Sequence, residues 1–344
     1  MEGTLASHGA LIVARREILD EKVRLGRLHV GRSSKGYADV GTRPAVHPVV
    51  STRLVVSRLA CHTSAHAHAR GSACRYRIAW SINPHMRIGA ANFERAEQQH
   101  DAFVTALREA GALVEPVAFV HGAYDSVFAK DSALLVEREG ERRALLASPV
   151  HPVRQREQAG RARSLEALGF TLESARSPLE GGDVVMLPGA RGALLGHGFR
   201  SSRAAARGLE AFLDAEVTPL ELVDPHLYHL DVALSVLSDG TALVCEEAFT
   251  AAGLRSLRAH PAISSVVPVP RDEALRFGLN LVEVDGIAVL GSRAPTVEQA
   301  LVARGSRIVH TPLQEFQLAG GSAACLVARL HSQDAAARRG RAAA

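Results

Sequence analysis

His229-Leu-Asp-Val-Ala-Leu-Ser-Val-Leu237, then Ser238-Asp-Gly240, then Thr241-Ala-Leu-Val-Cys245, decides the reading of this chain because its pattern recurs. Polar residues able to do chemistry come first, followed by an apolar strand, a tight turn and a second apolar strand. Asp-Gly between two apolar runs is a hairpin signal. The same order returns at Asp125–Val136 with Arg143–Ala147, at Glu180–Leu187 with Gly192–Gly196, and at Asn280–Val284 with Ile287–Leu290. A fifth copy lies at Gly320-Gly-Ser322, which leads into the apolar run Ala323–Leu330, read here as a final strand carrying Cys325 near its start. Helical stretches at 154–168, 202–213, 247–258 and 296–303 separate the copies. A recurrence of roughly 40 to 55 residues lies in the range of propeller-like arrays. The expected fold is therefore α/β: a five-bladed pseudo-symmetric α/β propeller. A doubly wound parallel sheet is the simpler alternative, and the short hairpin turns argue against it.

Outward from the repeats, Tyr76–Trp80 reads as a short strand, 92–110 as an amphipathic helix stopped by Gly111, and Leu113–Phe119 as a strand. Residues 1–75 differ from the rest. They are rich in Arg, His and Ser, show little sustained periodicity, and carry the chain's excess of positive charge, which is +4 overall with a pI of about 9.1. The expected organisation is a basic, poorly ordered N-terminal extension at 1–75, a catalytic domain at 76–332 and a disordered tail at 333–344. The tract His62, His66, His68 is a weak metal-binding candidate, since no carboxylate or thiolate arrangement surrounds it. Cys61, Cys74, Cys245 and Cys325 show no linear metal-ligand spacing and are too few for a disulfide framework, so reduced thiols in a cytoplasmic setting are expected. Neither a secretory signal nor an apolar stretch approaching the roughly 18 residues of a membrane span is visible.

In a closed array the starts of the inner strands converge on the axis. Those positions hold Asp125, Asp131, Glu180, Asp183, His229, Asp231, Asn280 and Cys325. A thiol, an imidazole and several carboxylates make poor core, because each buried charge needs a partner. They suit nucleophilic chemistry on a flat cation. Asp131 and Asp231 could grip a guanidinium edge-on with its central carbon facing Cys325, and the bound cation would lower the thiol pKa. His229 would protonate the departing amine and then activate water. Glu180 would orient the imidazole or bind the guanidinium.

The residues Gln99-His-Asp-Ala-Phe103, Tyr124–Asp131, Leu179–Val184, Gly198–Ser201, Tyr228–Asp231 and Gly320–Leu326 occur in an order that resembles the guanidino-modifying (amidinotransferase, or pentein) superfamily, in its dimethylarginine dimethylaminohydrolase-like branch. That resemblance implies the pentein fold, no metal and no cofactor. It implies Cys325 as nucleophile, His229 as general acid/base, Glu180 as the triad carboxylate, and Asp125 and Asp131 near the guanidinium. Arg200 would take the substrate's α-carboxylate, with Arg154 as a looser match for the same task, and Asp183 belongs to the substrate-binding set. Two departures stand out. Lys130 occupies a position where many dimethylarginine hydrolases carry Glu, and Asp231, two residues after His229, looks more like arginine deiminases.

Each motif alone has a plainer explanation: a lone Cys in a strand is usually a buried hydrophobe, and Glu180–Asp183 could be an ordinary turn. The combination favours a hydrolase releasing citrulline and a methylamine from Nω-methylated arginine. An arginine deiminase-like enzyme is next, then an amidinotransferase. From other classes come a non-catalytic guanidino-ligand binder and a nucleic-acid binder using the basic front. The expected partner is a small guanidino substrate, with neither nucleic acid nor membrane, and a homodimer is an allowed assembly.

Overall fold

The computed structural model describes residues 51–61, 74–190 and 192–334. Within them one three-stranded unit occurs five times. Its first two strands pair antiparallel as a hairpin, or its equivalent, and a helix then returns the chain to a third strand parallel to the second. The units are β3 (Ala133–Arg138), β4 (Glu141–Leu146) and β5 (Thr171–Ser174); β6 (Val184–Met186), β7 (Ala193–His197) and β8 (Val217–Glu221); β9 (Leu234–Val236), β10 (Thr241–Val244) and β11 (Ser265–Pro268); and β12 (Val282–Val284), β13 (Ile287–Leu290) and β14 (Arg307–His310). The fifth is assembled from both ends of the described chain: β15 (Val327–Ser332) lies antiparallel to β1 (Arg53–Ser57), which lies parallel to β2 (Leu113–Val117). A parallel pairing of β15 with β3 merges two units into one six-stranded sheet.

The middle strands of three units explain why the sequence there reads as apolar runs rather than strict alternation. Thr241–Val244 is buried throughout, as are residues 193–196 and 288–290. A strand covered on both faces needs apolar side chains at every position. The turns fit as well. Asp285 and Gly286 have φ of 44° and 81°, the pair of positive values that a tight hairpin turn requires. The helix Phe93–Glu109 is capped by Asn92, whose side chain accepts from Arg95 N at 2.8 Å, and it buries Ala96, His100, Phe103 and Leu107 on one face.

Three expectations change. Arg53–Ser57 falls inside the segment read as an extension, yet it is a sheet strand with Leu54, Val55 and Val56 buried, so the folded unit begins near residue 50 rather than 76. Its apolar core is only three residues long and is flanked by basic sequence, and its partner β15 lies more than 270 residues away, so no local signal marks it. Tyr76–Trp80 is an irregular segment rather than a strand, fixed by Tyr76 donating to Glu315 O at 2.9 Å and stacking on Phe316 at 5.1 Å. The final strand begins at Val327, not Ala323, so Cys325 sits in the preceding turn. Residues 1–50 and 62–73, including His62, His66 and His68, and the tail beyond 334 lie outside the described residues. Among the described residues no helix is long and apolar enough to cross a membrane.

Candidate active site

The chemistry-bearing residues stand on short turns just ahead of the inner strands, not on the strands themselves. Asp125 belongs to the turn Tyr124–Val127 and Asp131 to Ala129–Ser132. Glu180 caps Gly181–Asp183, His229 caps Leu230–Ala233, Asn280 precedes β12 and Cys325 precedes β15. A turn frees the side chain from the in–out alternation of a strand, so polar groups can face one another while the strands behind them stay apolar.

Of these, Asp131 and Cys325 line a small cavity of about 10 Å³, roughly the space of one water molecule, together with Arg154, Arg200, Tyr228 and Asn83 among others. Asn280 holds the thiol: its Nδ2 donates to Cys325 Sγ at 3.2 Å while its Oδ1 accepts from Cys325 N at 3.2 Å. Asp231 Oδ2 lies 3.6 Å from the sulfur and pairs with Lys130 Nζ at 3.1 Å. His229 Nε2 is 3.0 Å from Glu180 Oε2, and its Nδ1 faces Asp131 Oδ1 at 3.7 Å. Neither Nδ1 nor that Oδ1 has a hydrogen-bond partner among the described residues. Asp131 links the two halves of the site, since it lines the cavity of Cys325 and faces the ring of His229.

Comparison with known proteins covers the part of the chain that holds these residues. The family N,N dimethylarginine dimethylhydrolase, eukaryotic, matches residues 85–332. The chain belongs to this family. Among similar proteins, N(G),N(G)-dimethylarginine dimethylaminohydrolase of Mycobacterium tuberculosis is 30% identical over 258 residues, covering 74% of this chain and 83% of that one. The bifunctional arginine dihydrolase/ornithine cyclodeaminase AgrE of Nostoc sp. is 30% identical over 260 residues, but the aligned region spans only 36% of its length. The solved N-terminal domain of ArgZ, an arginine dihydrolase from cyanobacteria bound to substrate, superposes with a TM-score of 0.72 at 29% identity, covering 82% of this chain and 99% of that one.

The remaining candidate residues of this dimethylarginine dimethylhydrolase relative divide by what they touch. Arg154 does not reach into open space: Nη1 donates to Asp131 Oδ2 at 3.0 Å and Nη2 to Glu157 Oε1 at 2.8 Å. Arg200 is similarly engaged, with Nη1 3.2 Å from Glu180 Oε2, Nη2 donating to Ile82 O at 2.7 Å, and its guanidinium 4.7 Å above the Tyr228 ring. Asp125 accepts from Trp80 Nε1 at 2.7 Å. Asp183 does not line the cavity; it accepts from Leu230 N at 3.1 Å and so fixes the turn behind His229. Asn280, Tyr228, Trp80 and Glu157 complete the surroundings. Of these, Asn280 had a sequence signal in its place at the head of a repeat and Tyr228 in the Tyr228–Asp231 motif, whereas Trp80 and Glu157 carried no site signal.

Six buried carboxyls (Asp125, Asp131, Glu157, Glu180, Asp183, Asp231) surround this region. They face Arg154, Arg200, Lys130 and His229 as its basic partners. Burial works against a charged His229, but Asp131, Asp183 and Glu180 outweigh it and lift the imidazole to about 9. Burial would likewise raise Glu180, yet the hydrogen bond and charge of His229, with Arg200 and Arg154, bring it down to about 2. Burial pushes Asp131 up against the pull of His229 and Arg154. The Cys325 thiol is pushed well above its ordinary value by burial first, then by Asp231 and Asp131. The resting site therefore holds a thiol and an imidazolium at neutral pH.

A pH-dependent stability follows. Because the folded state raises His229 from 6.5 to about 9, its contribution is complete below about pH 6.5 and is lost as pH climbs through 9. A shift of this size corresponds to about 3 kcal/mol. Asp183 and Glu157, both raised to about 7, titrate lower in that window. The expected result is a melting temperature that falls between pH 7 and 9 in the parent, with that limb largely absent in His229→Gln. Parallel melting curves for the two proteins across this range would refute the assignment.

Proposed function

We propose that this chain is a cysteine-dependent hydrolase of the guanidino group of free arginine derivatives, working through a covalent amidino–sulfur intermediate on Cys325. The observation that carries the reading is a buried thiol held by Asn280 on a cavity wall shared with Asp131, the acid that in turn faces the Glu180-paired ring of His229 at 3.7 Å. A five-bladed closure of the repeated units is part of the same proposal. It is supported by the five identical pairing patterns and by the pairing of β15 with both β1 and β3.

A guanidinium between Asp131 and Asp231 supplies the positive charge that the acidic surroundings call for. It neutralises the carboxylates that keep the thiol protonated, so substrate binding itself favours the thiolate. With the thiol proton released to solvent, the sulfur attacks the central carbon and the leaving amine takes a proton from His229, a role supported by an Nδ1 that has no hydrogen-bond partner among the described residues. Glu180 and Arg200 hold the ring and balance its charge. Neutral His229 then removes a proton from water, the hydroxide adds to the amidino carbon, and the carbon–sulfur bond breaks to give a ureido product and restore the thiol. One water is consumed and one amine released per turnover. At about 10 Å³ the cavity admits no guanidinium as it stands, so lining side chains move on binding.

Family membership supports Nω-methylated arginine as substrate. A specific feature favours a second reading, unmethylated arginine: Asp231 lies 3.6 Å from the sulfur whose cavity Asp131 also lines, and two carboxylates are best matched by a guanidinium with all of its N–H donors. The dihydrolase relatives point the same way. Incubating the full chain with arginine, monomethylarginine, dimethylarginine and agmatine, and assaying ammonia, methylamines, citrulline and ornithine, separates these readings. Dimethylamine with citrulline supports the first and ammonia the second. No release from any of the four would overturn the hydrolase assignment.

A further inference from the structure

Away from the cavity, two cysteines and a histidine from three separate stretches converge. Strands β1 and β2 are parallel neighbours, so the segments that follow them leave side by side, with Arg58 N donating to Val117 O at 2.9 Å. The chain after β1 pairs with a later segment through Ala60 and Arg75, and Cys61 N donates to Cys74 O at 2.8 Å. This brings Cys61 and Cys74 together, and the segment after β2 lays His121 over both. Cys74 Sγ is 3.0 Å and Cys61 Sγ 4.0 Å from His121 Nδ1, and the three ligand atoms lie within 4.8 Å of one another. A tetrahedral zinc-class ion, with sulfur near 2.3 Å and nitrogen near 2.0 Å, needs ligand atoms spaced about 3.5 Å apart. The observed spacings straddle that value.

We propose that Cys61, Cys74 and His121 form a structural site for a zinc-class divalent cation, with the fourth position taken by water or another ligand. Two thiolates and an imidazole are a donor set selective for such ions over hard cations. Binding expels the two thiol protons to solvent and forms two metal–sulfur bonds and one metal–nitrogen bond, without redox change. The site would brace the segments that carry Trp80 and Asp125. Cys74 begins the segment that carries Trp80, His121 lies four residues before Asp125, and Trp80 and Asp125 are hydrogen-bonded to each other.

The test uses the full chain carrying Cys325→Ser, so that the only other thiol near a metal-capable cluster is gone, reduced and titrated anaerobically with Co2+. The expected result is one equivalent bound, with a thiolate-to-cobalt charge-transfer band and a raised melting temperature. Adding Cys74→Ser should roughly halve that band and weaken binding at least about tenfold. His121→Ala should weaken binding while keeping the band. Cobalt held instead by Asp131, Glu180 and His229 would bind without the band, and that outcome overturns the proposal. So would free thiols with no uptake, or a Cys61–Cys74 disulfide in chain isolated without oxidant. Cooperative melting of each variant shows that a loss of binding is not a loss of fold.

Discussion

Cys325→Ser removes guanidine hydrolysis, with turnover falling on the order of 10⁴-fold or more. The size follows from where the charge must go. The reaction needs an anionic sulfur next to Asp231 and Asp131, and a bound cation makes that affordable for a thiol but not for an alcohol of far higher pKa. Asn280, which meets the sulfur at 3.2 Å, still binds the serine hydroxyl, so the variant should fold and bind substrate normally. The measurement is product formation under saturating substrate, paired with mass spectrometry of acid-quenched enzyme. Parent protein should carry an amidino adduct on the peptide containing Cys325, and the serine variant none. A variant within about tenfold of parent turnover would exclude sulfur as the nucleophile.

Gly182→Ala is the second large effect, and it contains no change in chemistry at all. A Cβ at this position would lie 2.6 Å from His229 Nδ1, 2.9 Å from His229 Cγ and 2.7 Å from Asp131 Oδ1. One methyl group therefore pushes on both the ring that would move the proton in the proposed mechanism and the acid that mechanism sets beside the substrate. Displacements on the ångström scale in a catalytic constellation cost about 10²-fold, and overpacking at a buried site costs about 1–3 kcal/mol. We expect kcat to fall by about 10²-fold, with a lowered but still cooperative melting transition. Gly208→Ala is the control, since its Cβ would meet nothing within 4 Å in the helix Ala205–Leu213 and should leave turnover unchanged. Parent-like kcat in Gly182→Ala would mean that His229 and Asp131 are not held in the arrangement the mechanism needs.

The repeats were legible in the sequence because the middle strands of three of them are buried along most of their length and turns such as Asp285-Gly286 take positive φ at both residues. Burial and positive φ leave compositional marks that survive without any tertiary knowledge. His229, Glu180, Asp131 and Cys325 could be singled out because each stands at the same place in a repeat. What could not be read was whatever depends on distant pairing. Arg53–Ser57 is strand only because β15 and β2 flank it. The engagement of Arg154 and Arg200 by Asp131, Glu157 and Glu180 could not be foreseen either, since an Arg facing a substrate carboxylate and an Arg facing its own protein look alike in sequence. Cys61, Cys74 and His121 are the same case, being neighbours through the β1–β2 pairing and not through spacing.

The unit that contains β15 is built from the first and last strands of the described chain, and the turn bearing Cys325 immediately precedes β15. During synthesis on the ribosome, the acids and the imidazole would all have emerged before the sulfur. A nascent chain could assemble four of its units while still lacking the reactive atom. Under the proposed function, activity would then switch on only when the longest-range pairing, β1 with β15, forms, so that partly folded molecules carry no exposed nucleophile of this site.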